Sequence, residues 1–234
     1  MLDTAKIRAI TFDLDDTLWP IWPTIERAEK VLTDWLCAQA PMTAALFANA
    51  HARHDIRQQV LQQLPDIAHD LSAVRREAIR LTLTRAGEDP SLAEPAFEVF
   101  FAERNRVTLF DDVLPALNWL ARRYPLVAIS NGNADLERVG LAAWFKGGIS
   151  ASRFGVAKPH ASIFQAGADL AGVAVQEVLH VGDDAHHDVI GALDAGMQAV
   201  WVNRAEHPWT DTSHQPHDSI TELGELCDLL SGTH

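Results

Sequence analysis

The sequence predicts an α/β fold, a doubly wound parallel sheet with a helical domain inserted into it. Three observations carry this prediction. Short runs rich in β-branched residues alternate with helical patterns in the second half of the chain; each run ends in small or polar residues; and more than a hundred residues of helical signal separate the first run from the second.

The runs are residues 7–12 (IRAITF), 126–129 (LVAI), 178–181 (VLHV) and 198–202 (QAVWV). Helical patterns follow at 114–123, 134–140, 161–171 and 187–195, the last stopping at Gly196. The long stretch between the first two runs exceeds a simple crossover. It carries amphipathic patterns at 24–40, 43–64, 71–86 and 92–106, with breaks at Pro41, Pro65 and 87–90. We expect a catalytic core of residues 1–18 plus 108–234 and an inserted helical cap of 19–107. Trp35, Leu36, Leu46, Phe47, Phe97, Phe100 and Phe101 are read as the cap's own core, because apolar stripes at helical spacing are usually packing.

Of 234 residues, 47% are hydrophobic and 22% charged, ordinary for a globular chain. The formal charge of −13 sets the surface against nucleic acid and anionic membranes, so an anionic substrate needs a local positive site. Cys37 and Cys227 lie far apart and form no metal-type pair, which predicts buried, reduced thiols in a cytoplasmic protein. The N-terminal apolar run is cut by Asp13 and Asp15 before it forms a signal-peptide core, and no stretch approaches the roughly 20 apolar residues of a membrane span.

The first run ends in Asp13-Leu14-Asp15-Asp16-Thr17-Leu18, at the sheet edge where doubly wound folds place ligands. Strand alternation sends Asp13 and Asp15 to one side and Leu14 to the core. Carboxylates held this close call for a cation; a turn using Asp for local hydrogen bonds is the plainer alternative. The second run leads into Ser130-Asn131-Gly132-Asn133, a hydroxyl followed by a turn whose amides can face an anion. The third leads into Gly182-Asp183-Asp184, with Asp188 at a helix start, and Lys158-Pro159 lies between. Oxygen ligands from two strand ends suit Mg2+, which takes one or two carboxylates plus water and phosphate. Taken singly, Ser130 and Asp188 can be helix caps and Lys158 a solvated lysine. Together, at strand ends, they compose a site for phosphoryl transfer. His180 sits inside a strand and His186 and His187 near the acidic corner, while His207, His214 and His217 show no ligand spacing.

With these residues in order, the chain resembles the haloacid dehalogenase-like superfamily of phosphohydrolases, through DxDx[TV] (Asp13, Asp15, Thr17), a strand-end Ser130, Lys158 and the acidic motif of Asp183 and Asp188. The segments TFDLDDTLWP, PLVAISNGNADLERVGL and EVLHVGDDAHHDVIGALDAGMQAVWVNR are similar to bacterial phosphatases acting on flavin mononucleotide (FMN) and on 5-amino-6-(5-phosphoribitylamino)uracil, an intermediate of riboflavin synthesis. The resemblance implies a Rossmann-like core with the cap inserted after the first strand. It implies that Asp13 forms an aspartyl-phosphate, that Asp15 protonates the leaving alkoxide and then deprotonates water, and that Thr17 orients Asp15. Ser130, Asn131 and Lys158 would hold the phosphoryl oxygens. Mg2+ would bind Asp13, the Asp15 backbone carbonyl and Asp183, with Asp188, or the adjacent Asp184, supporting a metal-bound water or Lys158.

Trp19 and Trp22, at the cap entrance, are candidates for stacking on a flavin or pyrimidine ring, or else for hinge packing. Expected partners are a small-molecule phosphate ester and, at most, a second copy of the chain; nucleic acid and membrane are not expected. Rival readings are a phosphatase of other sugar or nucleotide phosphates, a phosphomutase using the same residues, a dehalogenase, which has no use for Asp15 or Mg2+, and a receiver-like signalling module, which leaves the insertion unexplained.

Overall fold

A computed structural model of the chain describes residues 1–232. They form two compact units: residues 1–20, 108–132 and 139–232 in one, Ile21–Val107 with Asn133–Arg138 in the other. The expected partition placed 133–138 in the core. Side chains explain the difference: Asp135 N donates to Asn105 Oδ1 at 2.7 Å, and Asn133 Nδ2 donates to Ser72 Oγ at 3.1 Å.

The first unit is built on six parallel strands: β1 (Ala9–Phe12), β2 (Leu126–Ser130), β3 (Gly147–Ser150), β4 (Val178–Gly182), β5 (Gln198–Val202) and β6 (Asp218–Ile220). Their order is β3-β2-β1-β4-β5-β6. Phe12 is level with Ala128 of β2 and with Val181 of β4, so the residues leaving these strands emerge together where the order reverses. The four strands legible in the sequence are buried at every position, whereas β3 and β6 are short and partly exposed. Two glycines in β3 (GGIS) and only three residues in β6 (DSI) leave no apolar run to detect.

Ala161–Ala171 forms the helix expected, ended by Gly172 with φ 87°. Its Ile163, Phe164 and Ala168 join Val127, Ile129, Val178 and Ala199 of the sheet in one buried cluster. A Cβ on Gly167 would lie 2.5 Å from Ile129 Cδ1, so the glycine lets this helix pack against the strand without displacing the end of that side chain. The pattern at 187–195 resolves differently, into a π-helical turn, Ala185–Ile190, followed by Gly191–Asp194. Asp184, not Asp188, caps it: its Oδ1 accepts from His186 N at 2.8 Å and His187 N at 2.7 Å. A 3.6-residue periodicity cannot register a turn of this width.

The second unit contains helices Ile21–Gln39, Pro41–Phe47, Ala50–Gln63, Leu71–Ala86 and Ala93–Arg104. The pattern at 43–64 is broken in two because Asn49 caps a new helix, its Oδ1 accepting from His51 N and Ala52 N. Asp70 does the same for Leu71–Ala86, and Gly87, with φ 71°, ends it. Leu36, Phe47, Phe97 and Phe100 are buried in this unit's core, with Trp35 and Phe101 partly buried against it. Leu46 belongs to the exposed face instead. The thiols also depart from expectation, Cys37 being exposed and Cys227 half-buried, both unpaired. Among the described residues no helix is long and apolar enough to cross a membrane.

Candidate active site

The site grows from the end of β1. Asp13 N donates to Val181 O at 2.9 Å, continuing the ladder one residue and bringing Asp13 out beside the end of β4. The chain then turns sharply: Leu18 N donates to Leu14 O at 2.8 Å and Asp16 N to Trp19 O at 2.8 Å. Asp16 takes the left-handed region (φ 57°), which short polar side chains tolerate. Leu14 and Leu18 are buried and anchor the loop.

Lys158 Nζ lies 2.5 Å from Asp13 Oδ1 and 2.5 Å from Asp188 Oδ1. Its main chain is clamped by Asn131, whose Oδ1 accepts from Lys158 N at 2.7 Å and whose Nδ2 donates to Lys158 O at 2.9 Å. Asp188 Oδ2 accepts from Asp184 N at 3.0 Å. The carboxylate fits here because Gly182 has no side chain: a Cβ there would be 2.4 Å from Asp188 Cγ. Asp183 follows the end of β4, its carbonyl accepting from Trp201 Nε1 at 2.7 Å and its Oδ1 from Thr17 Oγ1 at 2.8 Å. One oxygen each from Asp13, Asp183 and Asp188 falls within a 4.8 Å span.

Burial raises the carboxyl of Asp13 well above its ordinary range; Lys158 opposes this, and Asp188 and Asp183 add to it. Lys158 loses by burial but is held above its normal range by Asp13 and Asp188. Asp188, despite burial, is held far below the usual carboxylate range by Lys158 and His180. Asp183 is pushed up to about 7 by burial and by Asp188, against the Thr17 hydrogen bond. Lys158 and Asp188 therefore form a settled pair, and Asp13 and Asp183 are left short of positive charge. A divalent cation with oxygen preference fits that deficit and this donor set.

Several expected residues meet other partners. Thr17 was expected on Asp15; it is fully buried and bonds Asp183, while Trp19 Nε1 donates to Asp15 Oδ1 at 2.8 Å. Trp19 is 0% exposed, so its ring offers no face to a substrate, whereas Trp22 is 70% exposed. Asn131 was expected on the phosphoryl group, yet its amide is spent on Lys158. Ser130 is where the pattern placed it, buried at the end of β2 with Oγ accepting from Gly132 N at 2.9 Å. The carboxylate of Asp184 serves the π-helical turn rather than the acidic triad. His186 and His187 are exposed. Sequence reasoning passed over His180 and Thr11, which the fold joins to Asp188; the available signal was a polar residue at the centre of each of two apolar strands.

The sequence pattern of the haloacid dehalogenase-like hydrolases matches residues 7–196. The chain belongs to the haloacid dehalogenase-like hydrolase family. Within it, the chain is 36% identical, over 96% of its length and 97% of the relative's, to the 5-amino-6-(5-phospho-D-ribitylamino)uracil phosphatase YigB of Escherichia coli (strain K12). It is 34% identical to a phosphoserine phosphatase of Thermus thermophilus, over 65% of this chain and 63% of the other. Among solved structures, a protein described as a 2-haloacid dehalogenase from Pseudomonas syringae pv. Tomato DC3000 superposes with a TM-score of 0.91 at 38% identity, over 97% of this chain and 100% of that one. As a member of this family, the protein is a hydrolase.

Proposed function

We propose that the chain is a Mg2+-dependent phosphatase of small phosphate monoesters, with Asp13 as nucleophile and Asp15 as the acid–base group. The observation that carries this reading is Asp13 itself, buried at a strand end, 2.5 Å from Lys158 and grouped with two further carboxylates. A carboxylate attacks an anionic phosphoryl group poorly unless charge is screened. Bound Mg2+, held by Asp13 and Asp183 with the Asp15 carbonyl, would supply that screening. Lys158, fixed through Asn131 and Asp188, neutralises the phosphoryl oxygens as Asp13 Oδ attacks in line and the ester oxygen departs. Ser130 Oγ offers a further donor at the end of β2. Asp15 gives its proton to the leaving alkoxide, then takes one from the water that hydrolyses the aspartyl-phosphate. Trp19 holds Asp15 through its indole N–H, the role first expected of Thr17.

The substrates proposed are FMN and 5-amino-6-(5-phosphoribitylamino)uracil, on the motif phrases and on the relationship to YigB over nearly the whole of both chains. The unpaired thiols accord with a cytoplasmic location. The test is a panel of phosphate monoesters assayed with Mg2+, including both candidates and sugar phosphates. Because one solved relative is described as a dehalogenase, 2-chloropropionate belongs in the same panel. Asp15 and the cation-deficient acidic group favour phosphate release over halide release; halide release without phosphate release would reverse the assignment.

Three predictions test this reading. Trp19→Phe removes the indole donor to Asp15 but keeps an aromatic filler, so kcat is expected to fall about tenfold with every ester. Trp22→Ala, if Trp22 touches the substrate ring, raises KM for FMN and leaves KM for a small synthetic ester unchanged, a contact of about 0.5–1.5 kcal/mol beyond burial. Equal changes for both esters remove Trp22 from the substrate site. The third prediction concerns pH. Asp183, at about 7, must lose its proton to accept a cation. Mg2+ affinity measured by calorimetry is therefore expected to fall as pH drops through about 7, by up to about tenfold per unit. A carboxyl raised in the folded state gives stability that is complete below its unfolded value and lost as pH rises through the folded one. Metal-free protein should accordingly melt lower at pH 8 than at pH 6, with Mg2+ reversing the order; affinity independent of pH across this range counts against Asp183 as a ligand.

A further inference from the structure

Two polar residues in the middle of the sheet have no part in the chemistry described above. Thr11 and His180 occupy level positions in β1 and β4, and both are 0% exposed. Thr11 Oγ1 lies 2.8 Å from His180 Nδ1, and His180 Nε2 lies 3.2 Å from Asp188 Oδ1. The same Asp188 oxygen receives Lys158 Nζ, and Lys158 Nζ reaches Asp13 Oδ1. An unbroken line thus runs from the interior of β1 back to the residue that follows its end.

The direction of each hydrogen bond is set by the chemistry of its ends. Asp188 Oδ1 already accepts from an ammonium and carries no proton, so the contact from His180 is attractive only if Nε2 donates. A second full cation buried against Lys158 is disfavoured, which leaves the ring neutral with a lone pair at Nδ1. The Thr11 hydroxyl then donates to that lone pair, which reinforces the tautomer and holds the ring. The ring plane is also fixed, because Phe164 meets it edge-on at 5.1 Å between centroids. Asp188 is consequently held by three donors, His180 and Lys158 on Oδ1 and the Asp184 amide on Oδ2. Such saturation leaves its carboxylate a single orientation, the one that presents Oδ1 to Lys158.

We infer that Thr11 and His180 are positioning residues, a buried relay that locks Asp188 and thereby sets the Lys158 ammonium on Asp13. Neither touches the substrate or the reacting atoms. Outer groups that orient a charged residue in this way typically change activity by about 10–100-fold when removed. The kinetic part of this inference rests on the phosphatase reading; the structural part does not.

The experiment has two arms. In full-length protein labelled with 15N at histidine, long-range imidazole spectra, with His180 assigned by its loss in His180→Gln, should show a neutral ring protonated at Nε2. In Thr11→Val, nearly isosteric but without the hydroxyl, the Nδ1 resonance should shift as its hydrogen bond is lost, with Nε2 still protonated against Asp188. A ring protonated at Nδ1 in the wild-type protein overturns the relay whether or not any phosphate ester is hydrolysed. In the second arm, His180→Leu is expected to lower kcat by about 10–100-fold with KM little changed. His180→Gln, which restores an N–H near the Nε2 position, should recover most of that loss. Folded His180→Leu with wild-type kcat, or His180→Gln no better than His180→Leu, contradicts the inference. If His180→Leu does not fold, Thr11→Val with unaltered ring resonances does so instead. Failure of the phosphatase reading shows separately, as absence of ester hydrolysis in wild-type protein whose imidazole spectrum is as expected.

Discussion

Asp13→Asn is expected to lower kcat by about 10⁴-fold or more while leaving a folded protein. An amide cannot attack phosphorus as a carboxylate does, so the loss is the removal of a reaction step, about 5.5 kcal/mol or more of barrier. Folding should survive because Asn keeps the shape of Asp13 and its Oδ1 still accepts from Lys158, the contact at 2.5 Å. The stability effect can even be favourable. Asp13 is buried among carboxylates, with burial, Asp188 and Asp183 all acting against its charge, and the neutral side chain relieves that crowding. Melting temperature without metal is therefore expected to stay level or rise as activity disappears. Retained activity in this variant would falsify the covalent mechanism; joint loss of activity and cooperative melting would point to a structural role instead.

Lys158→Met should be damaging in both respects. With the ammonium gone, the phosphoryl oxygens lose a preorganised charge, a cost of about 10³ in kcat for a donor of this kind. Asp188, 1% exposed, also loses the partner that keeps it ionised. Removing one member of a buried pair typically destabilises by about 3–5 kcal/mol, because the remaining charge stays desolvated. The sign of the pH dependence separates this from simple cavity formation. Asp188 has its carboxyl held low by Lys158 and His180, so the pair contributes stability above the unfolded carboxylate range and loses it as pH falls. The wild-type pair is lost only below the ordinary carboxylate range, but without Lys158 the buried Asp188 takes up a proton already as pH falls toward that range, so in urea unfolding the difference between wild type and Lys158→Met should be largest near neutral pH and shrink toward pH 4. Adding Asp188→Asn should recover part of the loss. A difference unchanged with pH and not reduced in the double variant would mean that packing, rather than charge, is what Lys158 contributes.

The catalytic corner was legible in the sequence because its residues follow apolar strands directly. Asp13, Ser130 and Asp183 each stand just past or at the end of a fully buried run, and parallel register brings strand ends together. The second tier was not legible, because it depends on side-chain reach rather than sequence spacing. Thr17 faces Asp183 rather than Asp15, and Trp19, which reads as an aromatic contact surface, turns inward to bond Asp15. Asn131 looks like an anion-binding residue in the turn after β2 until Lys158, 27 positions later, takes both ends of its amide. Secondary structure failed where propensity was weak or geometry unusual: β3 through its glycines, β6 through its length, and the turn at Ala185–Ile190 through its π-helical width. Asn49, by contrast, is a recognisable cap in retrospect, obscured by continuous helical periodicity on either side.

The most direct test of Asp13 as a phosphoryl acceptor is chemical trapping. Mg2+-loaded protein is mixed with FMN, denatured within a few turnovers and treated with borohydride, which reduces an acyl phosphate to the alcohol; the peptide carrying Asp13 and Asp15 is then sequenced by mass spectrometry. The expected result is homoserine at position 13 alone, dependent on both substrate and Mg2+. Phosphate release with Asp13 recovered unreduced, or with reduction at Asp15 in its place, would contradict it.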